Sequence, residues 1–518
     1  MATAVENQQT DRVSRAATPA AVFVLAAGKL LLHLLTASRY GLFRDEYYYV
    51  ACSEHLAWGY VDHPPMAVFI AWLERHLLGS SPLALRFLPA MAGAALVWMA
   101  AQVAREMGGG RFAQIVAALA IIPVPIYLIL QQWLTMNAFE PLLWLVCAWC
   151  VLRAINGNEP RYLFWFGVLV GVGLETKYSI VFLTAGLLVG LLLGRERRLL
   201  KSGWPWLGAL VAAIIALPNF LWQLTHDFAF LQLMRNVRME DRDIVRAPLA
   251  FIGDQISIMN PVLFPLWLGG LLWLLFSVNC RRYRAMAWAF LFVLIAFIVL
   301  KGKNYYVTPV YPIVFAAGAV GFEQLTRISA RWLRTAYVAA VAVAGLLYLP
   351  VYVPILSPEN YLKYQATTHI PPVMFEKQQN GPLPQYFADE FGWPEMVEKV
   401  AAAYNSLPEN ERAHAAIFCN SWGEAAAVDF YGPKYGLPKA ISNHNSYWYW
   451  GPRDYTGDVM LVLGSNGRGD REHFRSVEPA GKVGTGYSRR DEHFTIWICK
   501  GLLLGNLKDV WPRLKKFS

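Results

Sequence analysis

At 518 residues, 56% hydrophobic and only 16% charged, with 20 tryptophans, the chain carries too much apolar length for a water-soluble globule. Apolar runs of about 18 residues or more recur along its first two thirds, each long enough to cross a bilayer as a helix. The net charge of +10 would suit nucleic acid, but the basic residues sit in short connections between apolar runs, and no basic face with interleaved aromatics appears; a nucleic-acid partner is excluded.

In chain order, residues 1–19 are polar and read as a cytoplasmic tail. Arg12 and Arg15 precede the apolar run Ala20–Thr36, which reads as a retained signal anchor. Hydropathy predicts spans over 20–38, 86–105, 112–130, 139–154, 161–175, 178–194, 204–222, 255–276, 285–300, 306–322 and 335–353, about eleven in all. They make a helical membrane domain over 20–354 whose first outer loop is 39–85. Within that loop His63–Leu78 is amphipathic, interrupted by Glu74, Arg75 and His76, and is expected to lie in the interface. Positive charge fills alternate loops, through Arg105, Arg153, Arg195, Arg281 and Arg327 among others. That asymmetry puts the N-terminus in the cytoplasm and the loops holding Asp45, Asn137, Lys177, His226 and Lys301 outside. An odd number of spans then places residues 355–518 outside as well.

Beyond Pro354, Pro, Asn, Gln and charged residues appear and no later run could cross a bilayer. Trp393–Tyr404 and Gly423–Tyr431 read as helices, and Ala415–Cys419, Asp458–Leu463 and His493–Cys499 as strands, together a small α/β domain. The polar and aromatic string from Ser442 to Pro452 is either a glycan-binding surface or a loop packed onto the membrane domain. Cysteine spacing gives no metal pattern. Cys147 and Cys150 sit in an apolar helix beside Trp144 and Trp149 and read as packing. Cys419 and Cys499 would pair only if the fold brought them together in an oxidising compartment.

The first outer loop carries the strongest chemical signal. Tyr40–Tyr49 sets adjacent carboxylates, Asp45 and Glu46, among aromatic side chains, and Gly59–Pro65 follows with Asp62 and His63 ahead of a stiff Pro64-Pro65. Charged carboxylates are costly to desolvate, so they should face a polar cavity or a partner; the plain alternative is an interfacial helix with its tyrosines in the aromatic belt. Asp, Glu, Asp and His in one loop are the donor types for a general base and for a hard or borderline metal ion. Other outer loops add Asn137 with Glu140, Lys177, His226 with Arg242 and Arg246, and Lys301 and Lys303 with Tyr305. Singly, each lysine would be expected to snorkel to the interface. Together, acids on one loop and bases on several others point to a cavity for an anionic lipid headgroup, since phosphate favours Lys and Arg donors.

These strings resemble the bacterial membrane glycosyltransferases of the GT-C class, the family grouped with protein O-mannosyltransferases and the lipid A aminoarabinose transferase. The matching pieces are Asp45-Glu46 after the first span, Asp62-His63-Pro64-Pro65, Thr135-Met136-Asn137 with Glu140, Thr176-Lys177-Tyr178, and Lys303-Asn304-Tyr305-Tyr306 with Pro309 and Pro312. The resemblance implies a mainly α membrane protein of the bacterial cytoplasmic membrane: a GT-C multi-span helical domain followed by a small extracytoplasmic α/β domain. It implies inverting transfer of a sugar from a polyprenyl-phosphate donor to a lipid, glycan or protein acceptor on the outer side. By position, Asp45 matches the catalytic carboxylate and Glu46 its neighbour. Asp62 falls where the aminoarabinose transferases place a metal-binding glutamate and His63 where they have lysine; with His226 as the nearest further ligand the three are the expected site for a divalent ion (Zn, Mn or Mg), and Lys177 matches a cavity lysine. Lys301, Lys303, Arg242, Arg246, Asn137, Glu140 and Tyr305 complete the expected donor-phosphate and substrate set. One departure stands out: many relatives carry an acid where this chain has Asn137, with Glu140 a turn later.

The chemistry agrees without the family. A polyprenyl phosphate is a fair leaving group once cations neutralise its developing charge, and the acceptor needs one carboxylate as base. No glycine-rich phosphate loop is present, as expected for a lipid-linked rather than a nucleotide-linked donor. A transporter or flippase of lipid-linked sugars would use the same basic cavity without a base, but no inverted repeat is visible and the acids cluster on one face. A glycan-binding scaffold is the third reading.

Overall fold

The computed structural model describes residues 17–240, 244–377 and 381–518. Among these, six helices are long and apolar enough to cross a membrane: Pro82–Glu106, Met136–Gly157, Trp204–Thr225, Val278–Val299, Asn304–Leu325 and Trp332–Tyr352. Four shorter apolar helices, Ala20–Thr36, Arg111–Ile121, Tyr162–Thr176 and Ile180–Leu193, pack among them. The chain is a mainly helical, multi-pass membrane protein. Where neighbouring helices touch most closely the contact residues are small. Gly270 and Gly318 face each other's helix backbone, and Gly186 and Gly190 lie against Ala289 and Ala285, as expected where van der Waals contact replaces the hydrophobic effect.

Two predicted spans are broken rather than straight. The expected span 255–276 is a pair, Pro248–Ile258 and Pro261–Phe276, bent by 99°. At the break Asn260 takes φ 70°, donates from Nδ2 to the Pro123 carbonyl at 3.0 Å and accepts the Val262 N–H at 3.1 Å. Pro261 has no N–H to continue the ladder. The expected span 112–130 likewise stops at Ile121 and resumes as Pro125–Leu130, with Pro123 between. Hydropathy sees an uninterrupted apolar run; a side-chain cap or a proline decides where the helix stops.

The C-terminal portion holds a five-stranded sheet of order β2-β1-β3-β5-β4, with β1 at Ala416–Cys419, β2 at Ile441–Ser442, β3 at Val459–Leu463, β4 at Phe474–Lys482 and β5 at Thr495–Leu502. The β1 strand is parallel to β2 and β3; β5 runs antiparallel to β3 and β4. Helices Trp393–Asn405 and Trp422–Tyr431 lie where expected. Sequence reading misses β2, which is two residues long, and β4, an edge strand whose Pro479 and Gly481 interrupt its register. Cys419 and Cys499 are free buried thiols on β1 and β5, with β3 between them.

This portion is not a separate body on a tether. Tyr47, Tyr48 and Tyr49 of the first outer loop share one apolar core with Trp393, Val397, Trp422 and Ala425. The string from Ser442 to Pro452 packs onto the membrane half, where the Ser446 N–H donates to the Tyr48 hydroxyl at 3.1 Å and the Tyr449 hydroxyl to the His226 carbonyl at 3.3 Å. Helix Met66–Leu78 buries Ala67, Val68, Ala71 and Glu74 and exposes Phe69, Leu77 and Leu78.

Candidate active site

A short helix, Arg44–Ser53, opens immediately after the first span. Phe43 is extended at its N-cap, and the Glu46 carboxylate reaches back to accept the Phe43 N–H at 2.7 Å. That closure sends the first two helical side chains, Arg44 and Asp45, into an open cleft with about 490 Å³ of empty space, part of it continuous with solvent. The opposite walls come from Trp133, Thr135 and Asn137, from Tyr305, and from Phe375, Glu376, Gln385 and Tyr386 of the C-terminal portion.

The two neighbouring acids have opposite surroundings. Glu46 is fully buried and does not line the cleft. It receives Arg86 Nη2 at 2.6 Å and the Leu134 N–H at 3.0 Å, and Arg86 also donates to the carbonyls of Ala37 and Gly41 at 2.8 and 2.9 Å. Glu46 therefore joins the first span, the outer loop and the loop before Asn137, away from the cleft. The Asp45 side chain is 37% exposed and faces the cleft, 3.8 Å from Arg44 Nε. The protein crowding it makes desolvation the largest effect and pushes its pKa up to about 7; Arg44 opposes this, while Asp389, Glu376 and Asp62 add to it. A carboxylate titrating near neutrality in a cleft is a candidate base.

Several predicted residues do come together. Lys177 Nζ donates to Asn137 Oδ1 and Glu140 Oε2, both at 2.9 Å, and lies 4.2 Å from the Tyr306 ring centre. The Ser179 hydroxyl donates to the other Glu140 oxygen. Lys177 is only 8% exposed, so it points inward rather than snorkelling. Asn137 and Tyr305 line the cleft, and Lys303 donates to the lining Glu376 at 2.7 Å. Others stand apart. Arg246 pairs with Asp254 at 2.9 Å outside the lining, and Lys301 is exposed with φ 54° after the helix that ends at Val299. Arg242 lies outside the described residues.

The expected metal ligands do not converge. Asp62 accepts the Tyr48 hydroxyl at 3.1 Å; His63 is buried between Tyr49 and Tyr60, with Nδ1 toward the Pro64 carbonyl and Nε2 3.7 Å from Asp62. Burial lowers the His63 pKa, keeping the imidazole neutral. His226 stacks on Trp222 at 4.0 Å and turns Nδ1 to the Trp222 carbonyl at 2.8 Å. Among the described residues no group of three or more His, Cys, Asp or Glu could hold a metal ion. The three residues do not fit a shared divalent ion, because His226 is held in its own stack.

Sequence reading passes over Arg86 and the C-terminal contributors Glu376, Gln385 and Tyr386. Arg86 could be read as the first polar residue of a span; nothing local marks the others. Glu390 is similar: it accepts Trp133 Nε1 at 2.8 Å beneath the cleft, and burial pushes its pKa to about 8.

In fold, the chain is similar to ArnT. Two crystal structures of ArnT from Cupriavidus metallidurans superpose on it, each covering 92% of this chain and 97% of that one. The undecaprenyl-phosphate complex gives a TM-score of 0.61 at 12% identity, and the apo form 0.60 at 13%. In sequence it is similar to proteins named as glycosyltransferases. The dolichyl-phosphate-mannose-protein mannosyltransferase family matches residues 62–222, a stretch with Asn137, Glu140 and Lys177 but without Arg44 and Asp45. The lipid A galacturonosyltransferase RgtD of Rhizobium johnstonii is 24% identical over 315 residues; the match spans 59% of this chain and 61% of that protein's length.

Proposed function

We propose that this protein transfers a sugar from a polyprenyl-phosphate-linked donor to an acceptor, with inversion, and that Asp45 is its general base. In this reading the acceptor hydroxyl or amine attacks the anomeric carbon and the new bond forms there. The bond from that carbon to the phosphate oxygen breaks, and polyprenyl phosphate departs with the bonding pair. The acceptor proton passes to the Asp45 carboxylate. The observation that carries the assignment is the contrast within the acid pair: Glu46 is closed off by Arg86 and backbone amides, whereas Asp45 faces the cleft with a pKa near neutrality. The relatives' names support the donor class: one is a dolichyl-phosphate-mannose enzyme family, and one solved structure carries undecaprenyl phosphate.

The reading places the protein in the bacterial cytoplasmic membrane, with its N-terminus cytoplasmic and the cleft and residues 355–518 outside, on the positive-charge asymmetry of its loops. Asn137 and Tyr305 border the sugar, Glu140 and Lys177 hold Asn137 in place, and Lys303 acts through Glu376. Purified protein incubated with a radiolabelled polyprenyl-phosphate sugar and membrane extract should move label to an acceptor. Label that only crosses the bilayer, still on its lipid, would mean a flippase instead.

A further inference from the structure

The cleft contains one cation among its described lining residues, and it is not one of the lysines that the sequence nominates. Lys177 is matched by Glu140, Lys303 by Glu376 and Arg246 by Asp254. Among the described residues, Arg44 alone of the basic ones lines the cavity. Its guanidinium makes no hydrogen bond among the described residues, and Nε is buried without an acceptor. The nearest charge, Asp45 Oδ1, is 3.8 Å away, too far for a hydrogen bond. Leaving a buried cationic donor without an acceptor is costly unless a ligand supplies one.

Arg44 is nevertheless held firmly, and from the C-terminal half. The guanidinium lies 4.8 Å from the Trp422 ring centre. Its aliphatic stem fills the space beside Gly423, where an added Cβ would come within 2.8 Å of Cγ. Its backbone N–H donates to the Asp389 carbonyl at 3.1 Å. Glu492 of the same half feels its charge without lining the cleft. A planar guanidinium stacked on an indole, with its donors free, is suited to two phosphate oxygens at once.

We propose that Arg44 grips the phosphate of the lipid-linked donor, and that Trp422 and Gly423 of the C-terminal half position it. This rests on the donor class proposed above. The guanidinium and Asp45 face the same cleft, so a phosphate on Arg44 lets the anomeric carbon lie between the leaving oxygen and the acceptor held at the base, and the guanidinium neutralises charge on that leaving oxygen. The C-terminal half thereby becomes part of the substrate site.

The test compares binding of a polyprenyl phosphate, the polyprenol of equal length, and an anionic phospholipid to the full-length protein in detergent. Wild type should prefer the polyprenyl phosphate to the polyprenol. Arg44→Gln should lose about ten- to a hundredfold in affinity for the phosphate, the range for one charged contact, with polyprenol binding unchanged. Trp422→Leu and Gly423→Ala, which keep every charge, should each erode the preference by about threefold or more, a shift that loss of packing alone would not direct at the phosphate. An undiminished preference in Arg44→Gln overturns the proposal. If that variant does not fold, an undiminished preference in both Trp422→Leu and Gly423→Ala overturns it equally. Equal loss toward the anionic phospholipid would reassign Arg44 to bulk headgroups and so reject the donor role. A wild type that binds phosphate and polyprenol alike refutes the donor class itself, a different failure.

Discussion

Two sides of the cleft treat charge in opposite ways. On one, the lining residue Asn137 joins Glu140 and Lys177, which lie behind the lining, in a closed set where the ammonium has two oxygen partners at 2.9 Å and an aromatic face beside it. On the other, Arg44 and Asp45 sit 3.8 Å apart, an ion pair without a hydrogen bond, both facing empty space. A closed set holds architecture, because breaking a buried pair strands its partner. An open pair keeps its capacity for a substrate. Proximity to the cavity alone does not separate the two sides; unmet hydrogen bonding does.

The largest expected effect is on the open wall. Asp45→Asn keeps the shape and removes basicity, so transfer should fall by about 10²–10⁴-fold. Wild-type activity should rise with pH through about 7, where Asp45 loses its proton, and that limb should be missing from the residual rate of the variant. Stability should move the other way. A carboxyl whose pKa is raised on folding binds its proton more tightly in the folded state, so stability falls as pH rises from about 4 to about 7. Asp45→Asn should therefore melt higher than wild type at pH 8 and alike at pH 4; a lower melting point at pH 8 would contradict the crowding described here.

Next comes the support beneath it. Arg86→Leu strands the buried Glu46 carboxylate and should cost about 3–5 kcal/mol of stability, read as a lowered unfolding midpoint in detergent. Restoring much of that loss by adding Glu46→Gln would show that the stranded charge is the cause.

On the closed wall, Lys177→Met removes the cation from Glu140 and should cost about 1.5–3 kcal/mol in stability, or roughly tenfold or more in transfer if the set must hold Asn137 at the sugar. Lys177→Arg should recover part of either loss. A variant with normal folding and normal kcat/KM would show the cluster to be dispensable.

The smallest effect is expected at His226. With its ring stacked on Trp222 and its Nδ1 on the Trp222 carbonyl, His226→Phe keeps the stack and should change transfer by less than about threefold, the scale of one neutral hydrogen bond. A loss of a hundredfold, restored by added divalent ion in the wild type after chelation, would instead make His226 a ligand.

Much of this was legible along the chain. Apolar runs long enough for a bilayer need no tertiary context, because the membrane itself imposes the length, and helices occupy those runs, two of them broken. The Asp45-Glu46 string drew attention to the loop that borders the cleft for a similar reason, since acids against a bilayer demand explanation. The short strands β1, β3 and β5 were readable from their apolar runs.

What sequence could not decide is which charge meets which. Asp45 and Glu46 are one residue apart, yet helix geometry turns the first to the cleft and the second inward to Arg86, forty positions along the chain. Lys177, Lys301 and Lys303 look alike in one dimension; only packing supplies Glu140 and Glu376 to two of them and leaves the third at the surface. Arg44 could be noticed beside Asp45, but the indole that holds it belongs to Trp422, almost four hundred residues later. Hydropathy and local spacing act over one helical turn or one bilayer thickness. Electrostatic partnership acts through space, between segments that only folding makes adjacent.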